Sequence, residues 1–474
     1  MTIEFSKPLK ATETPIPGVV LYDLPVHGDN RGWFKENWQR EKMMALGLPD
    51  FSPVQNNISF NEKAGTTRGI HAEPWDKFIS VATGRIFGAW VDLRKGLSFG
   101  KVFTAELDAS QAIFIPRGVG NAFQTLEDNT AYTYLVNDHW SADAQGQYTF
   151  LNLADGAANI PWPIPLDRAE LSDKDKAHPH LADVVPMPPK KILVLGANGQ
   201  LGRALRAAYD GEASVEFAGR AEFDLSSASS YTGRNWNNYS AIINAAAYTA
   251  VDEAETPEGR RHAWASNVQA VAELAKIATA HGIALVHVSS DYVFNGTSAQ
   301  HPEDEELSPL GVYGQTKAAG DAVVGNVPRH YIVRTSWVIG EGNNFVRTMA
   351  SLARRGIKPS VVDDQIGRLS FTSDIAAAIR HLLESHAPYG TYNYSSDGEP
   401  QSWAAIAADV FGLAGAQGTD VSGVSTEEYF KDKAAAPRPL NSVLALDKIK
   451  ATGFVPPQSS ERLKAYMSAE DSQG

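Results

Sequence analysis

The sequence contains no cysteine, which excludes disulfides, thiol nucleophiles and thiolate metal sites and fits a cytoplasmic protein. No apolar run approaches the roughly 20 residues of a membrane-spanning helix, and the N-terminus lacks the apolar core of a signal peptide. Basic residues are also in the minority, with 42 Lys and Arg against 55 Asp and Glu. We therefore expect neither a nucleic-acid partner nor an anionic membrane surface.

The 474 residues are enough for two or three domains, and the sequence pattern changes along the chain. Up to about residue 165, short alternating runs such as "KFISVATGRIFGAWVDLR" are separated by turn residues, which predicts a β-sandwich, jelly roll or barrel. From Ile192, apolar strands alternate with Ala-rich helical stretches, the pattern of a doubly wound parallel sheet. We expect a first domain at 1–175, a proline-rich linker at 176–189 and a second domain at 190–474.

A glycine-rich turn opens the second domain. In "KILVLGANGQLG" a short apolar strand runs into three glycines and then a helical pattern, so the backbone can approach a pyrophosphate at a helix N-terminus. This predicts a dinucleotide site. Arg220, near the end of the next strand, either pairs with a 2′-phosphate, which favours NADPH over NADH, or is an ordinary solvated side chain. The expected cofactor contacts are Gly196, Asn198, Gly199, Gln200, Leu201, Gly202, Arg220, Asp224, Leu225, Ala245, Ala246, Ala247 and Tyr248.

Three further residues predict carbonyl reduction. Tyr313 and Lys317, four apart in "VYGQTK", share one face of a helix, and Ser290 ends the strand "ALVHVSS". A lysine charge lowers the pKa of a neighbouring phenol and can hold a ribose hydroxyl, so Tyr313 can donate a proton to a carbonyl oxygen as hydride arrives. Ser290 would hydrogen-bond the same oxygen. Alone, a Tyr-x-x-x-Lys pair is as consistent with an exposed helix face; the upstream glycine turn favours catalysis.

From Lys190 to about Phe454 the sequence resembles the dTDP-4-dehydrorhamnose reductases, which are extended short-chain dehydrogenase/reductases. The motifs are "INAAAYTAVDEAE", "SSDYVFNG", "PLGVYGQTKAAGD", "RTSWVIGEGNNFV", "DDQIGRLS" and "PRPLNSVL". The resemblance implies a Rossmann-type domain with a small substrate-binding lobe. It also implies sugar-nucleotide contacts at Asp291, Val293, Trp337, Asn344 and Arg438. The family usually has Thr where Ser290 stands, Glu where Asp321 stands, and a Ser-Pro-Thr-like segment at residues 368–370.

The first domain contains its own candidate acid and base. His71 follows Arg68 in "TTRGIHAEPWDKF" and is a candidate base, while Tyr134 is a candidate acid. Lys77 could stabilise an enolate, and Arg31 and Arg68 are candidate phosphate partners. Each residue taken singly also has a structural interpretation, such as a hydrogen-bonded histidine or a core tyrosine.

Together these residues resemble the dTDP-4-dehydrorhamnose 3,5-epimerases, cupin-like jelly rolls, over about Ile16 to Asp175. The resemblance implies that Asp175, in "LSDKD", orients His71, that no metal is needed, and that the domain forms a homodimer. It implies substrate contacts at Arg31, Phe34, Glu36, Gln55, Asn57, Arg68 and Asn121. Two positions depart from the family: Asn121 stands where a histidine is usual, and Glu73 where a glutamine is usual.

The sequence thus predicts a multidomain enzyme in which an epimerase and a reductase share one chain. The first half would convert dTDP-4-dehydro-6-deoxy-D-glucose to dTDP-4-dehydro-L-rhamnose, and the second would reduce the C4 ketone with NADPH to give dTDP-L-rhamnose. Three alternatives stay open: another dTDP-6-deoxyhexose product, a first domain that only binds sugar nucleotides, and a non-catalytic NADP-binding regulatory protein.

Overall fold

The computed structural model describes residues 5–140 and 143–471. The chain divides into two compact units, Met1–Pro189 and Lys190–Gly474. Among the described residues, none of the helices has both the length and the apolar character needed to span a bilayer.

The first unit is made mainly of β-strands. They are β1 (Lys10–Glu13), β2 (Val20–Asp23), β3 (Val26–Asp29), β4 (Gly32–Lys35), β5 (Gln55–Asn61), β6 (Thr67–Ala72), β7 (Lys77–Thr83), β8 (Ile86–Asp92), β9 (Val102–Leu107), β10 (Gln111–Ile115), β11 (Val119–Thr125), β12 (Thr130–Val136) and β13 (Thr149–Phe150). Its helices are α1 (Arg40–Met44), α2 (Asp173–Lys176) and the 3₁₀ turns Asp143–Gln147 and Leu181–Asp183.

The strands of the first unit form two antiparallel sheets. One has the order β1-β2-β10-β7-β12-β5 and the other β13-β6-β11-β8-β9. Ile79 and Ile113 of the first sheet share one buried cluster with Trp90 and Phe123 of the second, so the two sheets enclose a common core. The predicted cupin-like jelly roll is confirmed.

The segment predicted as a linker, residues 176–189, packs on the first unit instead of running free. The Met187 N–H donates to the Leu93 carbonyl at 2.8 Å, and both Met187 and His178 are buried. Proline and the lack of periodicity suggest a linker locally, but the contacts that hold this segment come from strands far away in sequence.

The second unit alternates strands and helices. Its strands are β14 (Lys191–Leu195), β15 (Val215–Ala218), β16 (Tyr239–Asn244), β17 (Ala284–Ser290), β18 (His330–Thr335), β19 (Val338–Ile339), β20 (Ser360–Val362), β21 (Ile366–Gly367), β22 (Ser370–Phe371), β23 (Gly390–Tyr394), β24 (Gln401–Ser402) and β25 (Ser422–Val424). Its α-helices are α3 (Gln200–Ala208), α4 (Ala228–Tyr231), α5 (Pro257–Trp264), α6 (Ala270–His281), α7 (Val312–Val324), α8 (Phe345–Arg354), α9 (Thr372–Glu384), α10 (Trp403–Leu413), α11 (Thr426–Phe430), α12 (Asp447–Ala451) and α13 (Ser459–Asp471). Short 3₁₀ or π turns lie at Trp236–Asn238, Glu253–Glu255, Ala265–Gln269, Asp291–Val293 and Gly418–Asp420.

Six of these strands form a parallel sheet in the order β15-β14-β16-β17-β18-β23. Side chains of β14 alternate between its faces: Val194 packs into one core cluster, whereas Leu193 and Leu195 pack into another. This confirms the predicted doubly wound sheet. Strand order reverses beside β14, and the glycine turn follows that strand, at the point where such sheets bind nucleotides.

A smaller lobe with its own core accompanies the parallel sheet. Its core includes Val346 of α8, Val361 of β20, Val410 of α10 and Leu463 of α13, and its strands pair only in twos. This is the small lobe that the reductase resemblance implied.

Candidate active sites

The first unit contains a cavity of about 980 Å³ that brings together most of the predicted epimerase residues. His71 lies on β6 of one sheet and Tyr134 on β12 of the other, so the candidate base and acid enter the cavity from opposite sheets. The predicted residues that line it are Arg68, His71, Lys77, Asn121, Tyr134 and Asp175.

Asp175 holds the imidazole of His71. The His71 Nε2 and Asp175 Oδ1 atoms are 2.9 Å apart, and the Gly69 N–H donates to the other carboxylate oxygen at 3.5 Å. Ser172 caps the short helix α2, because its hydroxyl accepts from the Asp175 N–H. Burial alone would raise the pKa of Asp175, but the hydrogen bond and charge of His71 outweigh it and lower that pKa. An ionised Asp175 therefore orients His71 and leaves Nδ1 to accept a proton.

Tyr134 remains protonated because of its surroundings. Burial, and then the negative charge of Glu73, raise the pKa of the Tyr134 phenol. Glu73 forms an ion pair with Lys77, and the Lys77 Nζ lies 5.1 Å from the centre of the Tyr134 ring. Glu73, which replaces the usual glutamine of the family, thus places a carboxylate that is paired with Lys77 close to the candidate acid Tyr134.

Asn121, the other departure, is part of a buried hydrogen-bond network. Its Oδ1 accepts from the Trp90 indole N–H at 3.0 Å, and its Nδ2 donates to the Tyr132 hydroxyl at 3.0 Å. Tyr132 is not among the residues predicted from the sequence, although it stands two positions before Tyr134 along β12 and so lies on the same face of the strand. Both tyrosines line the cavity.

Five predicted substrate contacts of the first unit do not line this cavity. On the β3–β4 hairpin, Arg31 is exposed and pairs with Asp29 at 2.6 Å. Beyond Arg31, the Phe34 ring is exposed and Glu36 pairs with Lys42. The other two lie on the edge strand β5: the Gln55 amide donates to the Asn57 side chain at 2.8 Å.

In the second unit, the glycine turn packs so closely on neighbouring backbone that Gly196 and Gly202 cannot carry side chains. Gly196 has φ +75°, and a Cβ there would lie 2.7 Å from the Ala246 N atom. A Cβ on Gly202 would lie 2.2 Å from the Gly196 carbonyl oxygen. The turn runs into α3 with Gly199 at its N-cap, so the start of this helix offers free N–H groups to an anion.

The predicted cofactor contacts outside the turn fall into two groups. Arg220 is exposed, and its ion pair with Asp224 is long, with 3.8 Å between Nε and Oδ2. The guanidinium therefore remains available to a phosphate. Leu225, in contrast, packs its side chain against the core. Ala245 to Tyr248 follow β16 beside the turn, with the Ala245 N–H donating to Leu195 of β14 at 3.1 Å. Asn198 lies against Gly219, while Gln200 and Leu201 begin α3. The turn, this open arginine and the neighbouring strand ends fit a phosphorylated dinucleotide.

Ser290, Tyr313 and Lys317 meet where β17 ends beside α7. Burial raises the pKa of the Tyr313 phenol well above its usual value, and a hydrogen bond to Ser290 opposes that rise. The Lys317 Nζ donates to the Val288 carbonyl at 2.7 Å and lies 3.4 Å from His287 Nε2. Burial lowers the pKa of Lys317 to about 8 against the opposing charge of Asp321. Tyr313 is thus neutral and within hydrogen-bonding reach of Ser290, whereas Lys317, four residues further along α7, is directed at β17.

A second cavity, of about 500 Å³, lies next to this group. Tyr292 lines it and packs edge-on against Tyr313 with ring centres 5.4 Å apart. Trp337, which has φ +46°, stacks on Trp403 at 3.8 Å in its wall. Arg438 also lines it and pairs with both carboxylate oxygens of Asp252 at 2.9 Å. A bulky residue with positive φ is strained, and such strain clusters at functional sites.

The three other predicted substrate contacts of the second unit do not line this cavity. Asn344 caps α8, and its amide donates to the Gly340 carbonyl and the Tyr466 hydroxyl. Val293 is fully buried in a small apolar cluster. Asp291 is also buried, and burial raises its pKa to about 6. All three have structural roles that the motifs did not reveal.

Comparison with known proteins gives a separate match for each unit. A model of the dTDP-4-dehydrorhamnose 3,5-epimerase family matches residues 13–183, and a model of the RmlD substrate binding domain matches residues 190–471. Over 194 residues the chain is 50% identical to a protein RmlC homolog of Streptococcus pyogenes serotype M6, covering 40% of this chain and 98% of that protein. Over 297 residues it is 37% identical to a dTDP-4-dehydrorhamnose reductase of Aggregatibacter actinomycetemcomitans, covering 58% and 99%.

Among solved structures, the second unit is similar to a dTDP-4-dehydrorhamnose reductase from Bacillus anthracis in complex with NADP. The TM-score is 0.55 and the sequence identity 33%, with 60% of this chain and 99% of that chain covered. These matches agree with the prediction from the sequence that an epimerase and a reductase are joined in one chain.

Proposed function

This chain belongs to the dTDP-4-dehydrorhamnose 3,5-epimerase family over residues 13–183 and to the RmlD reductase family over residues 190–471, and we propose that it catalyses both reactions in sequence. The substrate is dTDP-4-dehydro-6-deoxy-D-glucose and the final product dTDP-L-rhamnose. The observation that carries the proposal is that each unit has its own acid–base group: His71 and Asp175 facing Tyr134, and Tyr313 with Lys317 and Ser290. We also propose a cytoplasmic location, which the lack of cysteine fits.

In the epimerase unit, the C4 ketone makes the protons on C3 and C5 acidic, because the carbanion is delocalised onto oxygen. His71 Nδ1 removes one of these protons while Asp175 stabilises the imidazolium that forms. Lys77 stabilises the enolate oxygen electrostatically. Tyr134, on the opposite sheet, returns a proton to the other face of the carbon. His71 then gives its proton to solvent and Tyr134 regains one from solvent, and the same steps at the second carbon invert the other centre.

In the reductase unit, NADPH supplies a hydride to C4 of the sugar when it is bound. Tyr313 donates the proton that the carbonyl oxygen needs, since burial keeps its phenol protonated. Lys317 stabilises the tyrosinate that remains, and Ser290 positions the oxygen. The glycine turn and helix α3 would hold the pyrophosphate, and Arg220 would pair with the 2′-phosphate of NADPH.

We assign the second cavity to the nucleotide part of the reductase substrate. The stacked Trp337 and Trp403 rings suit a planar base, and Arg438 suits a diphosphate. Because Arg438 is already paired with Asp252, substrate binding has to compete with that ion pair.

We propose that the protein forms a homodimer through the first unit. The edge strand β5 exposes the apolar side chains of Ile58 and Phe60, and Val54 just before it is also exposed; such an edge is a pairing surface. The predicted contacts Arg31, Phe34 and Glu36 do not line the cavity of their own chain, which fits their delivery to the cavity of a second copy. Light scattering should give a dimer, and Ile58→Lys should give a monomer.

The product of the full reaction tests the proposed function. The chain is incubated with dTDP-4-dehydro-6-deoxy-D-glucose and NADPH, and the sugar is identified by NMR. We expect dTDP-L-rhamnose. His71→Ala should prevent its formation, and Tyr313→Phe should stop NADPH oxidation. A different deoxyhexose would show that the stereochemistry is wrong, and no turnover in either half would refute the proposal.

A further inference from the structure

Beside the epimerase dyad lies a histidine that the proposed reaction does not use. His178 follows Asp175 by three residues and is buried, with only 6% of its side chain exposed. Its ring stacks on Phe150 at 4.6 Å and meets His71 edge-on at 5.3 Å. Neither ring nitrogen of His178 makes a hydrogen bond of good geometry in the described part of the chain; its polar neighbours are the Leu151 backbone and Asp175 Oδ1, the latter at 3.9 Å. A buried imidazole of this kind lacks the partner that buried polar groups normally have.

The neighbours of His178 supply the other two ligands of a metal site. Asp175 Oδ1 lies 2.9 Å from His71 Nε2 and 3.9 Å from His178 Nε2, and the ligand atoms of the three residues all lie within 4.8 Å of one another. Ligands at about 2.0–2.2 Å from a tetrahedral zinc ion are themselves about 3.3–3.6 Å apart. Small side-chain movements would therefore bring these three atoms to coordination distance.

We propose that His71, Asp175 and His178 bind a zinc-like divalent cation, and that this cation switches off the epimerase half. Two imidazoles and one carboxylate are the ligand set of several catalytic zinc sites. The same set disfavours Mg²⁺, which prefers oxygen ligands. His71 and Asp175 line the cavity and His178 is not among its lining residues, so the cation would lie at the wall of the substrate site, on the Nε2 side of His71.

The inhibitory consequence rests on the proposed epimerase function, whereas metal binding itself does not. A cation bound at His71 Nε2 displaces the proton from that nitrogen, so the single N–H of the neutral ring lies on Nδ1, and Nδ1 can no longer accept a proton from the substrate. The reductase half has no comparable group: among the described residues, this is the single cluster of three or more His, Asp or Glu with such spacing. Zinc should therefore inhibit proton exchange by the epimerase half and leave reduction of the C4 ketone by the reductase half unaffected.

The first test measures zinc binding to the full chain without substrate, by titration calorimetry. We expect one Zn²⁺ per chain and no detectable binding of Mg²⁺. His178→Gln should weaken zinc affinity about tenfold or more, since one of three ligands is lost. The matched control is His180→Gln, because His180 is a nearby but exposed histidine that pairs with Asp155. Equal affinity in His178→Gln and the wild type, or the absence of a bound zinc, would overturn the proposal.

The second test compares the two activities at increasing zinc. Exchange of the sugar protons with D₂O reports the epimerase, and NADP⁺-dependent oxidation of dTDP-L-rhamnose reports the reductase without the first half. We expect zinc to abolish exchange, EDTA to restore it, and oxidation to continue throughout. Exchange that persists with one zinc bound, or parallel loss of both activities, would contradict the inhibitory role. Absent exchange before zinc is added would refute the proposed function but leave the binding test valid.

Discussion

At the scale of single residues, each half depends on a tyrosine that is kept neutral by its surroundings and a partner that is kept charged. Burial and Glu73 act on Tyr134, and burial acts on Tyr313. Asp175 remains ionised beside His71. Because these environments move the pKa values of neighbouring groups apart, they determine which group acts as the acid and which supports the base.

Asp175→Asn should reduce proton exchange about 10²- to 10⁴-fold, because the amide no longer holds the imidazole in its basic tautomer. The shape and volume of the side chain are preserved, so folding should be little affected. NMR exchange in D₂O measures the loss, and oxidation of dTDP-L-rhamnose by the same chain serves as the control. Unchanged exchange would remove Asp175 from the mechanism.

Glu73→Gln should move the alkaline limit of the epimerase to lower pH. The negative charge of Glu73 raises the pKa of Tyr134, so its removal lets the phenol lose its proton, and with it the donor, at lower pH. The measurement is the pH profile of exchange, with the exposed Glu106→Gln as control. An alkaline limit that stays in place or moves to higher pH would contradict this role, because loss of the Glu73 charge and release of the Lys77 cation both lower the pKa of Tyr134.

Reductase activity should fall as pH rises above about 8, the value to which burial lowers the pKa of Lys317. Above that pH the side chain loses the charge that stabilises the tyrosinate, whereas below it the charge is present. The rate of ketone reduction is measured against pH, with protein stability followed in parallel. A rate that stays constant up to about pH 10, the ordinary range of lysine, would contradict this role.

At the scale of elements, the glycine turn between β14 and α3 combines close backbone packing with the helix N-terminus that would bind the pyrophosphate. Gly196→Ala should weaken NADPH binding at least tenfold, because the added Cβ meets Ala246 at 2.7 Å in a backbone with φ +75°, a conformation that costs about 1–2 kcal/mol for other residues. Gly211→Ala is a matched control, since φ is +76° there but no atom lies within 4 Å. Equal losses of NADPH affinity in Gly196→Ala and Gly211→Ala would show that backbone strain, and not the contact with Ala246, causes the loss.

Sequence patterns predicted this element well and others poorly, for a physical reason. The turn, the parallel strands and the Tyr313–Lys317 helix are local patterns, so the chain displays them directly. The packing of residues 176–189 on the first unit involves the backbone pairing of Met187 with Leu93. The proposed zinc site requires His178 to lie beside His71, more than 100 residues earlier in the chain. Contacts between distant segments leave no periodic signal in the sequence, so neither feature could be predicted from it.

At the scale of the whole molecule, fusion places two consecutive enzymes on one chain without requiring that the intermediate stays bound. A mixture of His71→Ala chains and Tyr313→Phe chains should therefore form dTDP-L-rhamnose, although neither variant does so alone. Product is followed by NMR, with each variant alone as control. If the mixture stays inactive while both variants are folded and keep their intact half, the intermediate must pass directly within one chain.

The central claim, that the first unit is an active epimerase despite Asn121 and Glu73, is tested most directly by deuterium incorporation. The full chain is incubated with dTDP-4-dehydro-6-deoxy-D-glucose in D₂O without NADPH, and C3 and C5 are followed by NMR. We predict deuterium at both carbons. Deuterium at only one would mean a different deoxysugar, and deuterium at neither, with the protein folded, would contradict the account of the first unit.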